Sequence, residues 1–190
     1  MKRILALMIC LLGVHAQAAN PKQPTNILWI YLEDVSGWFS CYGEKLIETP
    51  NIDKLAARGI RFDRFYTPAG VCSATRSSII VGAMQTTFGI HNHRSGRPDF
   101  RGQSMGKEFD DIRLPQGVQT LPVMMKRAGY FTFNQSGKDD YNFKWSPEEL
   151  YSPNSKQNFW RNRKPGQPFF GQIQLRGGKL GGRAPKKIDP

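Results

Sequence analysis

The run Asn26-Ile27-Leu28-Trp29-Ile30-Tyr31-Leu32 constrains the fold more than any other stretch. Branched and aromatic residues follow one another without polar interruption, the pattern of a strand buried on both faces, and such strands belong to parallel sheets covered by helices. The run ends at Glu33-Asp34. Two carboxylates therefore stand at the carboxyl end of a strand, the edge where open α/β sheets gather ligands. Downstream, Thr49 to Gly59 carries a Thr cap, Pro at the first helical position, apolar residues at helical spacing and a closing Gly, which predicts a short helix. Ile60 to Tyr66 reads as a strand. Thr120-Leu121-Pro122 opens a second helix closed by Gly129, Tyr130 to Asn134 is a strand with Gly137 to Tyr141 as its exit loop, and Gln167 to Leu175 is a further strand. This alternation predicts an α/β fold with a mainly parallel sheet flanked by helices.

A reactive centre is marked at Val71-Cys72-Ser73-Ala74-Thr75-Arg76-Ser77-Ser78. A Pro-Ala-Gly loop feeds a cysteine, small hydroxyl residues, an arginine and then Ile79-Ile80-Val81 and Gly82, which reads as a loop entering the first turn of a helix. Unpaired amide donors at a helix start favour an anion, and Arg76 one turn in adds a fixed positive charge. Gly89 to Met105 is rich in Gly, Arg, His and Ser without periodicity and reads as a long surface loop.

The chain has 190 residues, enough for one domain with a core. Met1-Lys2-Arg3, the apolar run Ile4 to Val14 and Ala16-Gln17-Ala18 have the layout of a secretory signal peptide over residues 1–18, the apolar run being shorter than the about 20 residues that span a bilayer. This predicts a secreted or periplasmic protein with no stable membrane insertion. Cys41 and Cys72 then remain, too few for a disulfide scaffold. The net charge of +12 is concentrated beyond Leu150. A basic stretch there meets nucleic acid, an anionic membrane or a sulfated or phosphorylated substrate, or is simply a solvated surface. Export leaves nucleic acid the poorest fit among these partners. Residues 19–175 read as the α/β region and 176–190 as a basic Gly/Pro-rich tail. A strand followed directly by that tail leaves the sheet uncovered, the pattern of a piece of a longer chain.

Four blocks in order carry a resemblance: Glu33-Asp34 after a buried strand, Cys41-Tyr42-Gly43, the Thr49-Pro50-Asn51-Ile52-Asp53-Lys54-Leu55-Ala56 helix, and Cys72-Ser73-Ala74-Thr75-Arg76. Together they resemble the N-terminal part of the type I sulfatases of the alkaline-phosphatase-like superfamily, nearest to heparan N-sulfatase-like bacterial polysaccharide sulfatases. The resemblance implies that Cys72 is oxidised to formylglycine by a formylglycine-generating maturation enzyme, and that the hydrated aldehyde is the nucleophile. It implies that Glu33 and Asp34, with the modified Cys72 side chain, hold a divalent cation, most often Ca²⁺, a hard ion that prefers oxygen ligands. Arg76 and Lys138 become catalytic residues, Lys138 also contacting the sulfate of a sulfated carbohydrate substrate. His91 and His93 lie in a stretch similar to a substrate-facing Gly-x-His-x-x-Arg segment, so that one of them faces substrate or both are ordinary loop histidines.

The chain also departs from the family pattern. Glu33 stands where Asp is usual. Gly137-Lys138-Asp139-Asp140 lacks the histidine of the family's Gly-Lys-x-His segment, and neither the histidine after Phe169-Phe170 nor a later acid pair is present. The implied activity is a secreted sulfuric ester hydrolase. Two alternatives stay open: a truncated, non-catalytic relative that binds anionic polysaccharide, and a phosphodiester or phosphonate hydrolase of the same superfamily.

Overall fold

The structure is a computed structural model and describes residues 24–93, 112–135, 139–155 and 159–175. The signal-peptide segment, the tail from 176 and Lys138 lie outside the described residues. In chain order the elements are strand β1 (Ile27–Tyr31), helix α1 (Pro50–Arg58), helix α2 (Cys72–Val81), helix α3 (Leu121–Arg127), strand β2 (Phe131–Gln135), helix α4 (Pro147–Leu150) and strand β3 (Phe169–Gln174). Short 3-10 turns occur at Ser40–Tyr42, Gln85–Phe88 and Phe159–Asn162.

The three strands form one parallel sheet in the order β1-β3-β2, with Ile27 opposite Phe170 and Phe131 opposite Phe169. The last strand among the described residues is thus central, and Phe170, Gly171 and Gln172 on it are buried. Because side chains alternate along a strand, the register puts Trp29 and Tyr31, Phe170 and Gln172, and Thr132 and Asn134 on one face. That face meets the core formed by Ile80, Ile90, Tyr141, Phe143, Leu150 and Tyr151. Trp29 packs edge-on to Phe170 at 5.0 Å between ring centres, and Tyr141 stacks on Phe143 at 5.7 Å. On the opposite face Phe133 lies over Gly171, and Phe159, Trp160 and Phe169 surround the ring.

Two sequence expectations need correction. β1 is not buried on both faces: Leu28, Ile30 and Leu32 are 43%, 55% and 41% exposed. The described core covers one side of the strand, and the other side is left half-exposed along a cavity. Ile60 to Tyr66 is not a strand; its backbone has no ladder partner among the described residues, and Ile60, Phe62, Phe65 and Tyr66 are exposed. Cross-links to the Ser40–Tyr42 turn hold it instead, with Arg61 donating to the Cys41 carbonyl at 2.6 Å and Tyr42 Oη to the Phe62 carbonyl at 3.2 Å. The exit loop after β2 carries no helix or strand at Asp139 to Tyr141, and it leads into the core, with Tyr141, Asn142 and Phe143 all 2% exposed or less. A buried loop needs its backbone polar groups paired. Here Ser77 Oγ accepts the Asn142 N–H at 2.8 Å, and Asn142 Nδ2 donates to the carbonyls of Ile90 and Asn92 at 2.9 and 2.6 Å.

The two helices with marked ends form as read. α1 starts at Pro50 and stops before Gly59. α3 runs from Leu121 to Arg127 with Ala128 as its cap, followed by Gly129 at φ 88°, a left-handed backbone that glycine adopts without a Cβ clash.

Candidate active site

The site is built where β1 ends and α2 begins. Val71, extended at φ −127°, is the cap of α2, so Cys72 is its first helical residue and the amides of the first turn have no helical carbonyl before them. Thr75 Oγ1 donates to the Ala69 carbonyl at 2.7 Å, which fixes the loop entering the helix. Ser73 and Ser77 are fully buried, and Ser77 Oγ donates to the Ser73 carbonyl at 2.7 Å. A cavity of about 840 Å³ opens beside this turn, and Glu33, Asp34, Cys72, Thr75, Arg76 and Tyr31 are among its lining residues. The two carboxylates, the cysteine and the arginine singled out in the sequence therefore share one cavity.

Arg76 organises its floor. The guanidinium lies over the Tyr31 ring at 4.9 Å and donates to Gln174 Oε1 at 2.5 Å, and Gln174 Nε2 donates to Glu33 Oε2 at 2.9 Å. Gln174 at the end of β3 thereby bridges the cation and the carboxylate. Asp34 sits at φ 54°, uncommon for a residue with a side chain, and is exposed at the cavity. Burial, and then the neighbouring Tyr141, pushes the Tyr31 phenol above its ordinary value of 10.0, with Arg76 opposing. Burial likewise pushes Tyr151 up to about 12. These phenols stay protonated donors in a network that joins Tyr31 and Tyr141 through Gln172 Oε1 and Tyr141 to Tyr151.

The histidines separate. His93 Nδ1 lies 3.3 Å from Ser73 Oγ at the start of α2, while both His91 and His93 are exposed and neither lines the cavity. Two residues that the sequence reading did not assign belong to the site. Asp140, 8% exposed, accepts a hydrogen bond from the Cys72 thiol at 3.9 Å. Gln174 is the other, and its position at a strand's carboxyl end is the signal that nominated Glu33 and Asp34.

As a cation site, the described donor set is only a beginning. Glu33 and Asp34 bring two carboxylates to the cavity, while a hard ion takes about six to eight oxygens. Among the described residues no group of three or more His, Cys, Asp or Glu could hold a metal ion. No helix among them is long and apolar enough to cross a membrane.

Comparison with known proteins gives the family. The sulfatase family model matches residues 25–178. The chain is 31% identical over 150 residues to an ulvan-active sulfatase of Formosa agariphila, covering 79% of this chain and 24% of that protein. To the human N-acetylgalactosamine-6-sulfatase it is 33% identical over 116 residues, covering 60% of this chain and 21% of that protein. It thus spans about a quarter of the length of the curated relatives it matches. In fold it is similar to a solved protein in complex with its substrate D-glucosamine-2-N,6-O-disulfate, with a TM-score of 0.56 and 24% identity over 79% of this chain and 34% of that one. The ordered blocks, the parallel sheet and the cavity at Cys72 agree with a match over most of the sequence, and the chain belongs to the sulfatase family.

Proposed function

We propose that this protein is a secreted or periplasmic sulfuric ester hydrolase that removes sulfate from a sulfated carbohydrate, with Cys72 as the precursor of a formylglycine nucleophile. The observation that carries this reading is the placement of Cys72 at the uncapped start of α2, on one cavity with Glu33, Asp34 and Arg76. The chemistry explains why a cysteine precursor is useful. A hydrated aldehyde has two hydroxyls on one carbon: one attacks sulfur, and the other later loses its proton so that the carbonyl reforms and sulfate departs. A serine ester has no such exit.

Each residue then has a task. The amides of the first turn of α2 and the Arg76 guanidinium favour the negative charge of the sulfate group. Arg76 is itself aimed by Gln174 and the Tyr31 ring. Lys138 supplies a second cation to the sulfate, and His91 or His93 meets the sugar, His93 lying beside Ser73 at the start of α2. Glu33 and Asp34 would hold a divalent cation, Ca²⁺ by ligand type, with further oxygens from outside the described residues. When bound, it supplies positive charge that polarises the sulfate oxygens. The carbohydrate substrate class is supported by the relatives, which include an ulvan-active sulfatase and an N-acetylgalactosamine-6-sulfatase.

The test is to express the protein with a formylglycine-generating enzyme, then measure the mass of the Cys72 peptide and the sulfate released from sulfated oligosaccharides. Conversion of the thiol to the aldehyde with sulfate release is the expected result. A persistent thiol and no sulfate would sink the reading. Heparin affinity with steep salt dependence but no turnover would establish a non-catalytic binder instead, and turnover of phosphate esters in preference to sulfate esters would reassign the chemistry.

A further inference from the structure

Resting on the reading of a sulfated carbohydrate substrate, we propose that Arg161, Arg163 and Lys164 form a second anion-binding patch, remote from the cavity, that holds a sulfated polysaccharide chain. The patch belongs to the basic stretch beyond Leu150, which the catalytic site leaves unused. Between Glu149 and Asp189 the chain has no acid. Arg161 and Lys164 are exposed and Arg163 is half-buried. Among the described residues no carboxylate lies within ion-pair distance of these three cations.

What separates this patch from an ordinary solvated surface is that its arginines are held in place. The Arg161 guanidinium lies over the Trp160 ring at 5.4 Å, and that of Arg163 over the Phe169 ring at 5.6 Å. Arg163 Nη1 also donates to the Trp160 carbonyl at 2.8 Å. Both rings are fixed in turn, lying 6.4 Å apart and flanking the buried Phe133 ring. Gln167 fastens the loop that follows: its Oε1 accepts the Lys164 N–H at 3.1 Å, and its Nε2 donates to the Gly129 carbonyl at 2.9 Å. A guanidinium stacked on a ring still presents N–H donors at its edge, in a planar fork suited to an oxyanion. Holding that fork in advance lowers the entropy cost of binding.

The patch stands apart from the catalytic cavity. Phe169 opens β3, whereas Gln174, tied to Arg76 and Glu33, ends it. At about 3.3 Å per residue the two ends lie about 16 Å apart along the strand. Phe169 and Phe133 also occupy the sheet face opposite the one that meets the core. A single sulfated sugar cannot touch both places, but a chain with repeated sulfates can. Contact at the patch then raises the effective concentration of further sulfates near the cavity, and each ionic contact releases counterions from the polymer. Trp160 and Phe169 are occupied by the guanidinium groups and by Phe133, so the patch offers charge without an apolar wedge, which favours a sulfated chain over a membrane surface.

The test uses the whole 190-residue protein with heparin as the sulfated polymer. Arg161→Ala/Arg163→Ala should weaken heparin binding about tenfold near about 0.1 M salt and lower the slope of log affinity against log salt by about 2. Arg161→Lys/Arg163→Lys keeps the charge but loses the planar fork, and its affinity should fall between the other two. Wild-type affinity in either double variant overturns the proposal, since binding then lies elsewhere or rests on diffuse charge. Arg161→Ala alone removes only the contact with Trp160 and keeps the test readable if the double variant melts early. It should weaken binding about threefold, and an unchanged affinity again overturns the proposal. Loss of binding to phosphatidylglycerol vesicles or single-stranded DNA, with heparin affinity intact, overturns it in favour of another partner. In converted protein, the alanine pair should raise KM for the polymer about tenfold and leave kcat/KM for a sulfated monosaccharide within about twofold of wild type. An equal fall on both substrates overturns the separation of the patch from the catalytic site. Absence of turnover by the wild type overturns the sulfatase reading, while heparin affinity lost in the arginine variants still supports the patch.

Discussion

Replacing Gly171 with alanine puts a methyl group where the Phe133 ring lies. The two residues face each other across the β2–β3 ladder, and a Cβ on Gly171 would stand 2.5 and 2.8 Å from Phe133 Cε1 and Cε2 and nearer still to Cζ. Phe133 is fully buried, with the rings of Phe169, Trp160 and Phe159 centred 5.7, 6.0 and 6.1 Å away, so it cannot tilt without moving its neighbours. Overpacking of this kind costs about 1–3 kcal/mol, and a clash with three ring atoms argues for the upper part of that range. For a chain of this size each kcal/mol lowers Tm by about 2–4 °C, so the mutant should melt about 4–12 °C below wild type. Urea unfolding should show a lower midpoint at an unchanged slope. The cause is checked by repeating the substitution in a Phe133→Leu background. With the ring gone, the methyl has space, and its added cost should shrink to about 0.5 kcal/mol or less. Equal loss in both backgrounds, or a Gly171→Ala melt within about 1 °C of wild type, would refute the steric argument.

Two further predictions concern the polar network. Gln174→Met keeps the side-chain length but drops both hydrogen bonds of the Arg76–Gln174–Glu33 bridge. Bonds to charged groups contribute about 1.5–3 kcal/mol, so kcat/KM for a sulfate ester should fall about 10- to 100-fold. Ca²⁺ affinity, read by calorimetry, should weaken in parallel; wild-type values of both would show that the bridge positions nothing. The second follows from the buried tyrosines. Tyr31, Tyr141 and Tyr151 all have raised folded-state values, so the fold favours the neutral phenols. Their contribution is fully present below pH 10 and is lost as pH rises from 10 through about 12 for Tyr151. The loss should reach about 1.4 kcal/mol per pH unit for each titrating tyrosine. Urea midpoints measured across that window should fall, and less steeply in Tyr151→Phe. A flat midpoint up to pH 12 contradicts the burial argument.

Local sequence signals carry the elements whose ends are chemically marked. Pro50 and Gly59 bound α1, Pro122 and Gly129 bound α3, and the cysteine loop leads into α2, because caps, proline and glycine act within a few residues. The parallel sheet follows from the alternation of apolar runs with helices. The sequence misleads or stays silent where a conformation depends on distant partners. Ile60 to Tyr66 has strand composition, yet a strand exists only with a neighbour to pair with. Tyr141 to Phe143 has no periodicity, yet it is core because Ser77, Ile90 and Asn92 arrive from elsewhere to satisfy it.

The same division runs through the site. The sequence alone determined that a cysteine begins a helix beside an arginine, and that two carboxylates end a strand, because those are properties of contiguous residues. Tertiary structure alone decided that they share a cavity, that Gln174 on β3 ties Arg76 to Glu33, and that Asp140 meets Cys72 from 68 positions away. Hydrogen bonds act over about 3 Å of space and are indifferent to separation along the chain. Only folding brings such partners within reach.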